Sequence, residues 1–346
     1  MTRRAHGDRV WNWVQRFWRG DAGPVGTALN VALAPAELIY RTVTVGRDAL
    51  YRNGFLLQAA PPIPVISVGN LTVGGTGKTP VSAMIAQQVA SWGKKPAIVL
   101  RGYGQDEIAV HRELNPSVRV YANANRYTAV EAAAAEGADC AIVDDGFQHQ
   151  QLHRKLDIVL VAAERWNSPR RLLPRGPWRE PASALYRAHF CIVTRKSASA
   201  GEANEIAREI AAMNRLGLAS VVHLAPTRLS RLEDPASSEP LMWLQGRSVL
   251  ALSSLAEPQL YLAQLTAAGA DAELLAYRDH QEFTSGDLID IRNRLGGRAL
   301  VMTRKEAVKL RGMLAGVEAF VLEQEAKVES GKTELFSEVW RVVAPS

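Results

Sequence analysis

The sequence predicts an α/β protein in which a parallel sheet carries helices on both faces. The first observation is that short apolar runs, typical of buried strands, alternate with amphipathic helical patterns over most of the chain. The second is that one such run, near position 65, enters a glycine-rich turn followed by Lys-Thr. We expect an N-terminal amphipathic segment over 1–60, a phosphate-binding domain over 61–235 and a second, smaller α/β domain over 236–346.

The stretch from Ile63 to Pro80 reads IPVISVGNLTVGGTGKTP and has the layout of a P-loop. Its glycines let backbone N–H groups turn toward a phosphate, and the helix expected from Pro80 adds free N–H groups and a positive dipole end. Lys78 is expected to reach the β- and γ-phosphates, and Thr79 to hold Mg²⁺. The strict motif has a glycine where this chain has Thr72, so a plain glycine-rich turn is the alternative. The predicted nucleotide-binding residues are Gly74, Gly75, Thr76, Gly77, Lys78 and Thr79.

The composition indicates a globular protein with an anionic partner. The chain has 346 residues, 47% of them hydrophobic, which is enough for two cored domains. Its net charge of +6 favours a nucleotide, a nucleic acid or an acidic membrane surface as partner. The two cysteines, Cys140 and Cys191, lie in apolar runs and indicate buried thiols rather than a disulfide framework or a zinc site.

Residues 9–19, RVWNWVQRFWR, predict an amphipathic helix with an aromatic face and a basic face. Aromatic residues beside arginines are typical of a helix that lies in a membrane interface. The alternative is a helix packed on the protein's own core. A second apolar stretch over 36–45 extends the expected surface. The apolar arc consists of Val10, Trp11, Trp13, Val14, Phe17 and Trp18.

Acidic side chains follow two of the predicted strands, where ligands bind in parallel sheets. Asp144 and Asp145 follow the apolar run 140–143 and occupy the place of a Mg²⁺-orienting Walker B acid, with a turn or helix N-cap pair as the alternative. Asp106 and Glu107 follow the strand predicted over 97–100 and are candidates for a base or a metal partner. A solvated acidic pair is the alternative there.

Several basic residues and one polar segment complete the candidates. Taken singly, His149 and His280 are better explained as structural residues than as catalytic residues. The polar, proline-bearing stretch 230–240 is expected to be a linker. Candidate phosphate clamps, with plain surface exposure as the alternative, are Arg101, Arg126, Arg175 and Arg179.

Five motifs occur in a characteristic order: GNLTVGGTGKTP, RGYG, DDGFQH, LPRGPWRE and DHQ. Together they resemble the tetraacyldisaccharide 4′-kinase family, and the resemblance spans nearly the whole chain. It implies a RecA-like P-loop domain joined to a smaller α/β domain. It also implies peripheral attachment to the cytoplasmic face of the inner membrane, and we expect a monomer.

The resemblance also implies residue roles. Asp106 corresponds to the proposed general base and His280 to the histidine that supports it, while Asp144 and Asp145 correspond to the acids near Mg²⁺. Gln105 and Ile108 stand where the family has glycine and proline around the base, and the turn 254–258 lacks the family's glycines. The residues expected near the phosphates or the acceptor are Arg126, Arg179, Glu107 and His149.

The implied reaction is ATP- and Mg²⁺-dependent phosphorylation of the 4′-hydroxyl of a tetraacyl disaccharide 1-phosphate, which forms lipid IVA. A substrate with several acyl chains stays in the bilayer, which accounts for an aromatic and basic N-terminus reaching the membrane. Two alternatives remain open. A GTPase-like switch or metallochaperone would need Asn-Lys-x-Asp, where this chain has Thr-Arg-Lys-Ser at 194–197. A nucleic-acid-dependent ATPase is suggested by the basic composition alone.

Overall fold

The structure is a computed structural model that describes residues 13–102, 104–279 and 281–344. In this part of the chain one twelve-stranded sheet runs through the molecule, with helices packed on it. The strands are β1 (Val65–Asn70), β2 (Pro96–Leu100), β3 (Arg119–Ala122), β4 (Cys140–Asp144), β5 (Leu156–Ala162), β6 (Phe190–Arg195), β7 (Ala219–Arg231), β8 (Ser238–Pro240), β9 (Ser248–Ser253), β10 (Asp271–Ala276), β11 (Ala299–Met302) and β12 (Ala319–Ser330).

The helices alternate with the strands, which confirms the predicted α/β class. Helix α1 includes residues 13–19. The others are α2 (Gly23–Ala32), α3 (Ala34–Arg52), α4 (Lys78–Ser91), α5 (Gln105–Leu114), α6 (Arg126–Ala135), α7 (Ala163–Trp166), α8 (Ala200–Ala211), α9 (Pro258–Ala267), α10 (Ser285–Leu295), α11 (Arg304–Leu310) and α12 (Lys332–Val343).

The strand order places the P-loop strand in the middle of the N-terminal half of the sheet. The order is β10-β9-β11-β12-β7-β6-β5-β1-β4-β2-β3, with β8 on the edge of β7. Strand β1 pairs in parallel with β4 on one side and with β5 on the other. The carboxyl ends of β1 and β4, which carry the glycine turn and Asp144, therefore lie side by side, where such sheets bind ligands.

Two long antiparallel strands join the halves of the sheet. Strand β7 pairs with β12 from Val221 to Arg231, and the other pairings are parallel apart from that of β7 with β8. The sequence patterns did not predict β7, β12 or α12. The expectation of a linker over 230–240 is wrong, because Ser230 pairs with Ser238 and Arg228 with Pro240 in a β7–β8 hairpin. The polar residues there belong to a short edge strand, so their composition resembles a linker.

Apolar side chains from distant parts of the chain meet under the P-loop strand. Ile66 of β1 and Ile142 of β4 pack in one cluster with Ile85 of α4. Leu335 and Val339 of the C-terminal helix α12 join the same cluster. Strands β9 to β11 have their own apolar clusters. The division at 235/236 stays a prediction, although α12 returns to the core of the P-loop half.

The predicted interfacial helix is only in part an exposed apolar surface. Phe17 of α1 is 4% exposed, stacks on Trp13 at 5.6 Å and lies in the interior, as the packing alternative expected. The indole N–H of Trp18 donates to the carbonyl of Pro174 at 3.1 Å. Residues 9–12 of this prediction, including Val10 and Trp11, lie outside the described residues.

A larger apolar surface lies on α3. Leu38, Ile39 and Val43 are 64%, 66% and 63% exposed. In the three described ranges of the chain, no helix has both the length and the apolar character needed to cross a bilayer. The two cysteines are buried as predicted, and burial raises the pKa of both thiols to about 12.

Candidate active site

The glycine turn between β1 and α4 has the backbone that a P-loop requires. Gly74 and Gly77 have φ angles of 115° and 82°, in the left-handed region that side chains disfavour. A Cβ on Gly77 would lie 2.3 Å from Leu224 Cδ1, so a side chain at this position would require Leu224 to move. Helix α4 begins at Lys78, two residues before the predicted Pro80, so its free N–H groups border the loop.

Hydrogen bonds from neighbouring strands hold the loop in shape. Asn70 Nδ2 donates to Thr76 Oγ1 at 2.8 Å. Thr194 Oγ1, at the end of β6, donates to the carbonyl of Thr76 at 2.9 Å, and Lys196 Nζ donates to the carbonyl of Gly75 at 3.0 Å. The 194–197 segment, considered above for guanine specificity, thus supports the P-loop. These contacts fix the carbonyls of Gly75 and Thr76 in the loop.

An ion pair connects the P-loop with the C-terminal half of the sheet. Arg165 Nη1 donates to the carbonyl of Val73 at 3.2 Å, and Arg165 Nε donates to Glu257 Oε1 at 2.6 Å. Glu257 directly precedes α9, in the turn where the family's glycines are replaced. The substituted turn is therefore connected to the loop through the side chain of Arg165.

Asp144 lies beside the threonine that begins α4. Thr79 Oγ1 is 3.2 Å from Asp144 Oδ2, and the buried His111 Nε2 is 2.9 Å from the same oxygen. Among the described residues Asp144 Oδ1 is buried and has no hydrogen-bond partner. An uncompensated buried carboxylate oxygen is costly, so it is a natural ligand for a cation.

The oxygens of Thr79 and Asp144 therefore fit Mg²⁺, which binds hard oxygen donors. Among the described residues no group of three or more His, Cys, Asp and Glu side chains could form a metal site. A site of one or two protein oxygens completed by phosphate oxygens is how Mg²⁺ binds in nucleotide sites. When bound, the ion would supply charge neutralisation at the phosphates.

Asp145 makes different contacts from its neighbour. It has a φ of 59°, and its carboxylate is held by Arg179 in a bidentate pair at 2.9 and 3.1 Å. Lys78 Nζ lies 3.4 Å from Asp145 Oδ1. Burial raises the pKa of Asp145, but Lys78 and Arg179 outweigh it and hold the pKa well below its usual range. Asp145 as a metal ligand stays a prediction, and its contacts in this structure are with Lys78 and Arg179.

Asp106 is a buried carboxylate in the first turn of α5, rather than at the end of a strand as the sequence suggested. It is 4% exposed, and Lys309 Nζ lies 3.0 Å from its Oδ2. Lys305 Nζ lies 3.8 Å from the same oxygen. A negative side chain in the first turn is favoured by the helix dipole, which explains why α5 begins there. His280, the predicted partner, lies outside the described residues, but Asp279 and Gln281 contact the same two lysines.

Basic side chains surround His149. Burial lowers the pKa of His149 to about 4, helped by Arg126, Arg154 and Arg101. Arg126 is itself 4% exposed and donates to the carbonyl of Ala124 at 3.3 Å. These groups form a positive region suited to a phosphate-bearing acceptor.

Two other predicted site residues, Glu107 and Arg175, lie in different parts of the structure. Glu107, on the same helix as Asp106, is half-buried. Arg175 donates to Glu37 at 2.6 Å and to Asn30, and so connects the 172–180 loop to α2 and α3. The charge of Arg175 is therefore balanced within the protein and needs no bound phosphate.

Sequence reasoning missed four residues of this site, namely His111, Arg165, Lys305 and Lys309. His111 and Arg165 have no signal in one sequence, because each is an ordinary residue within a helical stretch. Lys305 and Lys309 lie one turn apart on α11, and nothing in the local pattern indicates their partner elsewhere in the fold.

Comparison with known proteins agrees with this geometry. A family model described as LpxK, tetraacyldisaccharide-1-P 4′-kinase, matches residues 29–342. The tetraacyldisaccharide 4′-kinase of Anaeromyxobacter sp. (strain K) is 37% identical over 336 residues, covering 88% of this chain and 87% of that protein. The enzyme of that name from Halorhodospira halophila is 33% identical and covers 87% and 88%.

A solved structure matches as well. The crystal structure of LpxK from Aquifex aeolicus in complex with ATP has a TM-score of 0.69 and 26% identity to this chain. The match covers 91% of this chain and 99% of that one. On the family model, on these relatives and on the arrangement of its P-loop, the chain belongs to the tetraacyldisaccharide-1-P 4′-kinase family.

Proposed function

We propose that this protein transfers the γ-phosphoryl group of ATP to the 4′-hydroxyl of a tetraacyl disaccharide 1-phosphate, forming lipid IVA. The observation that carries the proposal is the juxtaposition of Lys78, Thr79, Asp144 and Arg179 around a rigid P-loop in a chain of this family. Phosphoryl transfer depends mainly on positioning and on neutralising charge. Lys78 and Arg179 supply positive charge beside the loop, while Thr79 and Asp144 supply oxygens for Mg²⁺.

The acceptor side of the reaction is assigned to Asp106 and His280. Asp106 lies on α5, the same helix whose His111 contacts Asp144, so base and metal acid are linked through one element. In this proposal Asp106 accepts the proton of the 4′-hydroxyl and His280 orients or supports it. Arg126 and His149, with Glu107, would bind the polar part of the acceptor.

We further propose that the enzyme meets its lipid acceptor at a membrane surface, on the cytoplasmic face of the inner membrane. The exposed apolar face of α3 supports this part of the proposal, because contiguous apolar surface of this kind marks interaction sites. Arg16 and Arg19 of α1 are exposed and carry the positive charge that anionic lipids attract. Membrane contact would run through residues 9–19 together with α3, and we propose a monomer.

The test is to incubate the purified protein with ATP, Mg²⁺ and a tetraacyl disaccharide 1-phosphate and to detect a bisphosphate by mass. We expect the product with wild type and its formation to be slowed by roughly 10²-fold or more with Lys78→Ala prepared in parallel, which controls for a contaminating kinase. GTP in place of ATP, and hydrolysis with added RNA or DNA, test the two alternative functions. The absence of bisphosphate with folded, ATP-binding protein would refute the proposal.

A further inference from the structure

Two lysines of α11 contact one buried carboxylate on α5. Lys309 Nζ lies 3.0 Å and Lys305 Nζ 3.8 Å from Asp106 Oδ2, and the Asp106 side chain is only 1% exposed. An ionised carboxylate removed from water is stable only where opposite charge and hydrogen bonds compensate it. The lysines come from the C-terminal half of the chain, so this compensation depends on the packing of α11 against α5.

The same lysines also hold the chain on both sides of His280. Lys305 pairs with the carboxylate of Asp279. Lys309 Nζ donates to the carbonyl of Gln281 at 2.9 Å. Each lysine thus has one partner on α5 and one in the segment before α10, and the two partners in that segment flank His280.

We infer that Lys305 and Lys309 are positioning residues that link Asp279 and Gln281, the chain neighbours of His280, to Asp106. The inference rests on the proposed function, in which Asp106 is the base. Asp106 and Asp279 are both carboxylates, and each is paired with a lysine of α11, so the lysines supply the positive charge for both acidic side chains. A lysine ammonium has three donors on a flexible stem and can serve two acceptors at once. The lysines therefore link the segment before α10 to α5.

Arg304 offers a matched control at the same interface. It also lies on α11 and also bridges to α5, but its partners are Glu113 at 3.1 Å and Glu323. Loss of Arg304 removes one positive charge and one inter-helix ion pair without touching the contacts of Asp106 with the lysines. A weakening of the α5–α11 interface that does not involve Asp106 should therefore appear in the Arg304 variant, although Glu113 keeps its pair with Arg311 there.

The experiment compares Lys309→Met, Lys309→Arg, Lys305→Met and Arg304→Met in the full chain. For each variant we would measure kcat, KM for ATP, and hydrogen exchange of the peptide 277–284. For Lys309→Met we expect kcat to fall about tenfold or more, since small misplacements of catalytic groups carry costs of this order. KM for ATP should stay unchanged, because neither lysine belongs to the P-loop. Exchange in 277–284 should rise about tenfold, as expected for a locally weakened contact.

Lys309→Arg should restore much of kcat and of the protection, because it keeps the charge and the donors. Arg304→Met should leave both close to wild type. If Lys309→Met does not fold, Lys305→Met carries the same test.

The inference is overturned if both lysine variants keep wild-type kcat and protection while Asp106→Asn is inactive, a result that leaves the proposed function standing. If Asp106→Asn keeps wild-type kcat, the base assignment fails and this inference with it. A wild-type protein without kinase activity would instead refute the proposed function.

Discussion

His111 Nε2 lies 2.9 Å from Asp144 Oδ2, inside the protein, and this contact connects the helix of the candidate base to the candidate metal acid. His111 is 0% exposed, and Thr79 Oγ1 shares the same carboxylate oxygen at 3.2 Å. With Oδ2 occupied by two partners, the Asp144 carboxylate has a defined orientation and Oδ1 is left for a cation.

His111→Leu should weaken Mg²⁺-dependent nucleotide binding, because Asp144 loses the partner that orients it. Residues that orient metal ligands are typically worth about 10- to 100-fold in metal affinity. His111→Gln, whose amide nitrogen can reach the same oxygen, should stay nearer to wild type. The measurement is a Mg²⁺ titration of fluorescent ATP-analogue binding, with binding in EDTA as the baseline. Identical Mg²⁺ dependence in wild type and His111→Leu would contradict an orienting role.

Lys78→Ala should lower the rate of phosphoryl transfer by roughly 10²-fold or more, since it removes a charge that stabilises the transferring group. The structure adds a second effect, because Asp145 then keeps Arg179 as its one cationic partner among the described residues. The exposed Lys95→Ala is a control for a lost lysine charge. Near-normal turnover by folded Lys78→Ala would refute the P-loop assignment.

Asp106→Ala and His280→Ala should have non-additive effects on kcat/KM for the lipid acceptor. If the two act as one unit, the double variant should be little worse than Asp106→Ala alone. Both single variants should still bind ATP, because neither belongs to the phosphate cradle. Fully multiplicative losses would assign the two residues to independent roles, and wild-type activity of Asp106→Ala would point to Glu107 or Asp145.

Leu38→Ser, Ile39→Ser and Val43→Ser combined should weaken flotation with anionic vesicles while leaving thermal stability nearly unchanged. These side chains are exposed, so their apolar area is available to lipid and contributes little to the core. Ile289→Ser is the matched control, since Ile289 is 59% exposed elsewhere on the protein. Equal flotation of the triple variant and wild type would exclude α3 as the contact.

Phe17→Ala should act on stability instead. Phe17 is 4% exposed, and truncating a buried phenylalanine typically costs about 3–5 kcal/mol. Urea unfolding measures the loss. An unchanged midpoint would show that α1 packs only weakly on the protein and would restore the original expectation that Phe17 faces lipid.

The pH dependence of stability should include a contribution from His149. Its pKa is lowered to about 4 in the folded protein, so between pH 6.5 and 4 the unfolded chain binds a proton at His149 that the folded protein does not. Stability should therefore fall as the pH drops through this window. His149→Gln should make the urea midpoint fall less steeply between pH 7 and 4. Parallel pH profiles for the two proteins would contradict the shift.

The sequence by itself determined the α/β class, the P-loop and its acidic partner strand. These follow from local signals: the glycines at 74–77 are needed for a backbone that side chains disfavour, and buried parallel strands such as 140–143 are continuous apolar runs. The family resemblance added the expected roles of Asp106 and His280. It too rests on short motifs, in which the informative residues are adjacent in the sequence.

The tertiary structure alone decided which groups meet. Strands β7 and β12 are half-exposed, so their mixed polarity gives no clear period, and their pairing joins residues about a hundred positions apart. The contacts of Lys309 with Asp106 and of His111 with Asp144 depend on the register in which helices pack, which no local pattern encodes. The same holds for Phe17, whose burial was decided by the surface that α1 packs against, because an amphipathic helix presents the same apolar face to a protein core and to a membrane.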